Sequence, residues 1–138
     1  MQLITKEIEK RFNEIGRQEN SKDPIVIVKY FNPTGAGTWW ATEIEEYRLV
    51  KRNKNGKEQL KQVFDYNTKE KAIKDGYKLD DIIFFGYVSI FGNYNDEWGS
   101  FSLKELKGYK GLGGLGIERD LYCSEKPISQ FNIPSLRK

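Results

Sequence analysis

The spacing of apolar residues changes along this chain, and each change marks an element. Ile8, Phe12 and Ile15 recur at helical spacing on one stripe. Thr5 stands where an N-cap belongs and Gly16 where the helix should stop, so a helix is predicted over residues 6–15. Residues 17–24 are polar and end in Asp23-Pro24, as a connection does. Ile25-Val26-Ile27-Val28 is β-branched at both parities, which predicts a central strand covered on both faces, continued by Lys29-Tyr30-Phe31. Pro33 and the glycines Gly35 and Gly37 form a turn into a second strand over residues 39–43, completing a hairpin. That strand holds Trp39 and Trp40 side by side. Neighbouring side chains on a strand point to opposite faces, so one ring can enter the core while the other faces outward, and Glu43 should share the face of Trp39 and Ala41.

A second hairpin is expected over residues 46–65, around the strong turn signal Asn55-Gly56. Thr68 is placed to cap a short helix through Lys74, ended by Gly76. Ile82-Ile83-Phe84-Phe85-Gly86-Tyr87-Val88 reads as another buried strand, residues 93–96 as a turn and residues 97–101 as a strand. Ser102 and Glu105 have the spacing of a capping box, so a short helix should run to about Lys107. A glycine-rich loop follows over residues 108–116. Residues 117–122 alternate apolar and charged positions like an edge strand, and the tail from Pro127 is polar enough to wrap or fray. These elements add up to an α+β fold: a mainly antiparallel sheet of five to seven strands in a single domain over residues 1–138, with an N-terminal helix and one or two short helices.

Charge changes this picture in one place. The chain has 138 residues and a net charge of +3. Residues 48–80 carry ten basic and five acidic side chains, so the whole excess sits on the second hairpin and the helix after it. Lys51, Arg52, Lys54, Lys57 and Lys61 could grip phosphates there, with Tyr47, Tyr66 and Tyr77 interleaved. Lysines are equally ordinary protection for an exposed strand edge.

Other chemistry is bounded by what the sequence lacks. There is no histidine, which excludes Ser-His-Asp and Cys-His catalysis and His-ligated metal. Cys123 is the only cysteine, so no internal disulfide forms; it has no evident activating base and reads as structural. The start, Met1 to Lys6, lacks the apolar stretch of a signal peptide, and no apolar run is long enough to span a bilayer. A reduced, cytoplasmic protein with no membrane partner and no cofactor is expected. Residues 111–116 match G-x-G-x-x-G in form, but a helix precedes them instead of a strand, so a plain loop is expected. Glu118 and Asp120 should share one strand face with Arg119 on the other. With Glu43 near, they would form a three-carboxylate cluster able to hold a hard metal or do acid–base work. The plainer reading is a solvated strand face or an Arg–carboxylate pair.

Three blocks in order resemble a bacterial family called domain of unknown function 2958. The first runs from Val28-Lys29-Tyr30-Phe31 through Thr38-Trp39-Trp40-Ala41-Thr42-Glu43. The second is Phe84-Phe85-Gly86-Tyr87-Val88. The third runs from Gly99-Ser100-Phe101-Ser102-Leu103 through Leu115-Gly116-Ile117-Glu118-Arg119-Asp120-Leu121-Tyr122. The resemblance implies that the basic stretch at about residues 46–76 is an insertion, since members join the first two blocks with far fewer residues. It also implies service to a mobile genetic element, because members tend to be encoded on plasmids, phages and conjugative elements. The leading expectation is a non-enzymatic binding protein that inhibits a host defence system by binding one of its protein components, a host or phage protein. It would use a surface made of Lys29, Trp39, Trp40, Glu43, Glu118, Arg119, Asp120 and Tyr122. Two alternatives stay open: a nucleic-acid-binding accessory protein using the basic hairpin, and a metal-dependent phosphoesterase-like enzyme using the carboxylates.

Overall fold

A computed structural model describes residues 1–91 and 95–136. The expected turn over residues 93–96 and the end of the tail therefore fall partly outside the described residues. Among those described, three α-helices and eight strands form one α+β domain: α1 (Lys6–Ile15), β1 (Ile25–Val26), β2 (Val28–Phe31), β3 (Thr38–Arg52), β4 (Glu58–Val63), α2 (Tyr66–Lys74), β5 (Lys78–Ser89), β6 (Glu97–Ser102), α3 (Leu103–Gly108), β7 (Glu118–Arg119) and β8 (Lys126–Pro127). The main sheet is antiparallel, in the order β6-β5-β3-β2-β7. β4 also pairs with β3, and β1 pairs separately with β8.

The long strand β3 organises everything else. One edge pairs with β5 along its length. Its other edge pairs first with β2, over residues 38–41, and then with β4, over residues 47–52. The two hairpins read from the sequence are therefore not separate units: β3 is the return strand of the first and the outgoing strand of the second. Between β2 and β4 the edge of β3 has no strand partner. Arg17 and Gln18, which follow the Gly16 cap of α1, fill that gap. Gln18 donates its side-chain amide to the Thr42 carbonyl (2.6 Å), Arg17 donates to the Glu45 carbonyl, and Gln18 also bonds both backbone groups of Ile25. A polar connection thus takes over the bonding of an interrupted sheet edge, where unpaired backbone groups would otherwise be costly.

Both faces of the sheet are covered, unequally. The three helices pack on one face around Phe12, Tyr30, Phe84 and Phe101, whose rings meet at centroid distances of 5.4–5.8 Å. The opposite face carries a smaller cluster of Val26, Trp40 and Tyr87, covered by Ile128 and Ile133 from the C-terminal strap. The strap is tied down by Ser129 bonding Asp23 and by Tyr87 donating its hydroxyl to Ser135 (2.7 Å).

Local chemistry explains the helix boundaries. Thr5 accepts from the Ile8 amide and Ser102 from the Glu105 amide, as their spacing requires. Asp81 joins the second cap: it accepts from the Ser102 hydroxyl (2.6 Å) and the Lys104 amide (2.9 Å). For α2 the cap is Asp65, not Thr68. Asp65 accepts from both the amide and the hydroxyl of Thr68, so the expected cap is a residue of the first turn. The aspartate three residues earlier outcompetes the threonine, because an ionised carboxylate is the stronger acceptor. No described helix is long and apolar enough to cross a membrane.

Candidate functional site

The uncovered part of the strap-side face centres on Lys29. In the β2–β3 ladder Lys29 lies opposite Trp40. The amide of Asp120 donates to the Lys29 carbonyl (2.9 Å), which places the two side chains in an ion pair at 3.6 Å. Two open grooves meet at Lys29. One, of about 460 Å³, is lined by Phe31, Gly35, Thr38, Ser89 and Asp120 as well as Lys29. The other, of about 400 Å³, runs between Lys29, Trp40 and the strap residues Lys126, Gln130, Phe131 and Pro134. Its wall is preset, since the Lys126 ammonium stands 4.5 Å from the centroid of the Phe131 ring. Trp40 is 8% exposed and its indole Nε1 is buried with no acceptor. The ring packs with Val26, Tyr87, Ile128 and Ile133, so Trp40 forms an apolar floor fixed from beneath.

The other expected surface residues do not all join this trough. Trp39 turns to the helix side, packs on the main core and folds over Gly37. Gly37 has φ +136, and a Cβ there would stand 3.1 Å from the Trp39 ring. Glu43 does not continue the face of Trp39 and Ala41. A bulge between Ala41 and Glu43 shifts the alternation by one, so Ile44 follows Ala41 into the helix-side core. Glu43 is 5% exposed and committed to Arg17 Nη1 (3.1 Å) and the Gln18 amide (3.1 Å). Arg119 lies opposite Tyr30, with its Nε buried and unpaired. Burial pushes the Tyr30 hydroxyl far up, and the Arg119 charge only partly offsets this. Glu118 pairs with Phe31 and is half-buried. Tyr122 is 98% exposed.

The expected three-carboxylate cluster does not form. Through the ladder, Asp120 is level with Trp40, three residues from Glu43, and two strands away. That is roughly 10 Å along the strands and roughly 10 Å across them. Glu118 is level with Thr38, farther still. Among the described residues no three Asp, Glu or Cys side chains gather closely enough to hold a metal ion. Cys123 is partly buried, and burial followed by the nearby Asp120 charge pushes its thiol pKa up. The glycine-rich stretch is a loop with a short 3-10 turn over Leu112–Gly114, and not a strand-to-helix phosphate cradle.

The basic hairpin is built as its turn signal implies. Asn53 accepts from the amides of Asn55 and Lys57, and Gly56 takes φ +78. Arg52 is paired with Glu58 at 3.3 Å. Lys51 and Lys61 stand over the Tyr77 ring, and Lys54 and Lys57 are exposed at the tip.

Three structural features lie outside the expectations drawn from the sequence, and two of them left a clue there. The Arg17–Gln18 plug looks like an ordinary polar linker. Lys126 and Phe131 of the strap could have been found from the apolar spacing of Ile128, Phe131 and Ile133. Lys69 is 2% exposed and bonds Glu9 (2.8 Å) and Glu70 (2.9 Å), tying α1 to α2. Its place three residues before the buried Ala72 on one helix face was the available clue.

An antiparallel sheet backed by helices on one face, with a half-covered trough on the other, defines the class of fold. The family model for a protein of unknown function (DUF2958) matches residues 3–50. The matched segment spans α1, the Arg17–Gln18 plug, the β2–β3 hairpin with both tryptophans, and Glu43. No curated protein and no solved structure matches the chain.

Proposed function

We propose that the protein acts by binding, that its partner is a protein, and that it engages that partner through the Lys29–Trp40 trough. In the setting the resemblance implies, it serves a mobile genetic element, and the partner is a component of a host defence system. One observation carries this reading: the trough combines two ammonium groups, Lys29 and Lys126, with the aromatic side chains of Trp40 and Phe131 on the face the helices leave open. Convergent donors in an otherwise apolar groove are how binding sites orient a ligand. Of the three carboxylates expected to cluster, Glu43 is separated from Glu118 and Asp120 and committed to Arg17 and Gln18. The test is affinity capture from host lysate, with and without nuclease, using wild type and Lys29→Glu/Lys126→Glu as baits. A protein held by wild type, resistant to nuclease and lost by the variant supports the reading. A partner held equally by both baits, or one released by nuclease, contradicts it.

A further inference from the structure

The basic hairpin forms a second site, remote from the trough in the fold and different in chemistry. Lys51 lies opposite Gln59 and Lys61 opposite Leu49, so the two lysines are diagonal neighbours on one face of the β3–β4 ribbon. Their ammonium groups stand 5.4 and 5.3 Å from the centroid of the same ring, Tyr77. Lys51 is fixed there by donating to the Asp75 carbonyl (2.7 Å) at the end of α2 and by close packing on Gly76. Beside it a groove of about 470 Å³ is lined by Val50, Lys51, Arg52, Glu58, Gly76 and Lys78.

The charge balance of this region is one-sided. None of Lys51, Lys54, Lys57, Lys61, Lys74 or Lys78 has a carboxylate within ion-pair distance among the described residues. The acid lining the groove, Glu58, is already paired with Arg52. Two ammonium groups held on one ring repel each other, and that repulsion is relieved when an anion lies between them. From Lys57 at the tip to Lys61 on β4 the chain advances four residues, about 13 Å of strand, too long for one phosphate. A repeating polyanion fits. The paired lysines lie on one face of the ribbon, where a chain of phosphates can be laid across both.

We propose that this surface binds the phosphodiester backbone of a nucleic acid, without reading its sequence, through Lys51, Lys61 and the tip lysines. Fluorescence anisotropy with a labelled 20-nucleotide single strand and its duplex tests it. Four phosphate contacts give a slope of log K against log salt of about −3 to −4, so affinity falls about 50- to 150-fold between 50 and 200 mM KCl. Lys51→Gln/Lys61→Gln lowers the slope by about 1.5–2, and Lys54→Gln/Lys57→Gln, which alters only exposed side chains, does the same. No binding at 50 mM KCl, or slopes unchanged in both variants, overturns the proposal. So does a polyglutamate of equal charge binding as tightly as the single strand, since that would make the site an acidic-peptide site.

Discussion

Arg17 Nη1 donates to Glu43 Oε2 at 3.1 Å across 26 positions of sequence, and this pair seals the sheet edge between β2 and β4. Glu43 is nearly buried, while Arg17 keeps part of its side chain in solvent. Removing Arg17 therefore leaves a carboxylate with one amide donor and little water. Arg17→Ala is expected to cost about 2 kcal/mol, less than for a fully buried pair because Arg17 is partly screened. Urea denaturation measures this. Capture of the partner by the folded variant should be unchanged, which separates Glu43 and its partner from the binding surface.

Gly86 and Gly99 are neighbours in the β5–β6 ladder and provide a matched pair. A Cβ at Gly86 would lie 1.9 Å from the Trp40 carbonyl oxygen and 3.0 Å from the Ala41 Cα, and backbone cannot swing aside. At Gly99 nothing lies within 4 Å. Gly86→Ala is expected to cost more than about 3 kcal/mol or prevent folding, and Gly99→Ala to stay within about 0.5 kcal/mol. Thermal melts of the two variants decide it; equal melting temperatures would show that β5 and β3 are not as close as described.

The Lys69 pairs set a pH profile. Burial alone would lower the Lys69 pKa, but Glu9 and Glu70 outweigh it and hold it above the ordinary value. Lys69 holds Glu70 below the ordinary carboxylate range, and the Thr68 amide and hydroxyl do the same for Asp65. A raised lysine stabilises fully below its unfolded value, about pH 10.4, and that contribution is lost as pH rises through the folded value. The lowered carboxylates stabilise above about pH 4.3 and 3.9, and those contributions fade as pH falls through their folded values. Stability should therefore be level across neutral pH and decline below about pH 4, and Lys69→Met should flatten the acid limb. Lys69→Ala, which strands Glu9, should cost about 3 kcal/mol at pH 7.

How much of this was legible follows from which interactions are local. The caps at Thr5 and Ser102 and the Asn55-Gly56 turn depend on residues within four positions, so spacing alone reveals them. The position of Glu43 depends on a one-residue bulge near Thr42, a second irregularity between Ile44 and Glu46 follows it, and neither marks the sequence. Of the expected surface, Lys29, Trp40 and Asp120 come together because they lie on adjacent strands at one level. Glu43 and Glu118 lie at different levels of the sheet. Lys126 and Phe131, which complete the trough, come from a tail whose polar composition concealed its packing role.

The Cys123 thiol should be sluggish. Burial and the Asp120 charge raise its pKa, which keeps it protonated at neutral pH, and the thiolate is the reactive form. Modification by a disulfide reagent at pH 7.5 is expected to be slow in native buffer and to accelerate at least about tenfold in denaturant. Equal rates in both would place the thiol in open solvent.

The central claim is that a protein partner occupies the Lys29–Trp40 trough. Hydrogen–deuterium exchange on the complex with the captured partner tests it most directly. Protection is expected on β2 and on residues 126–134, with α1 and α2 exchanging as in the free protein. Protection confined to the helix face or to the β3–β4 hairpin would contradict it.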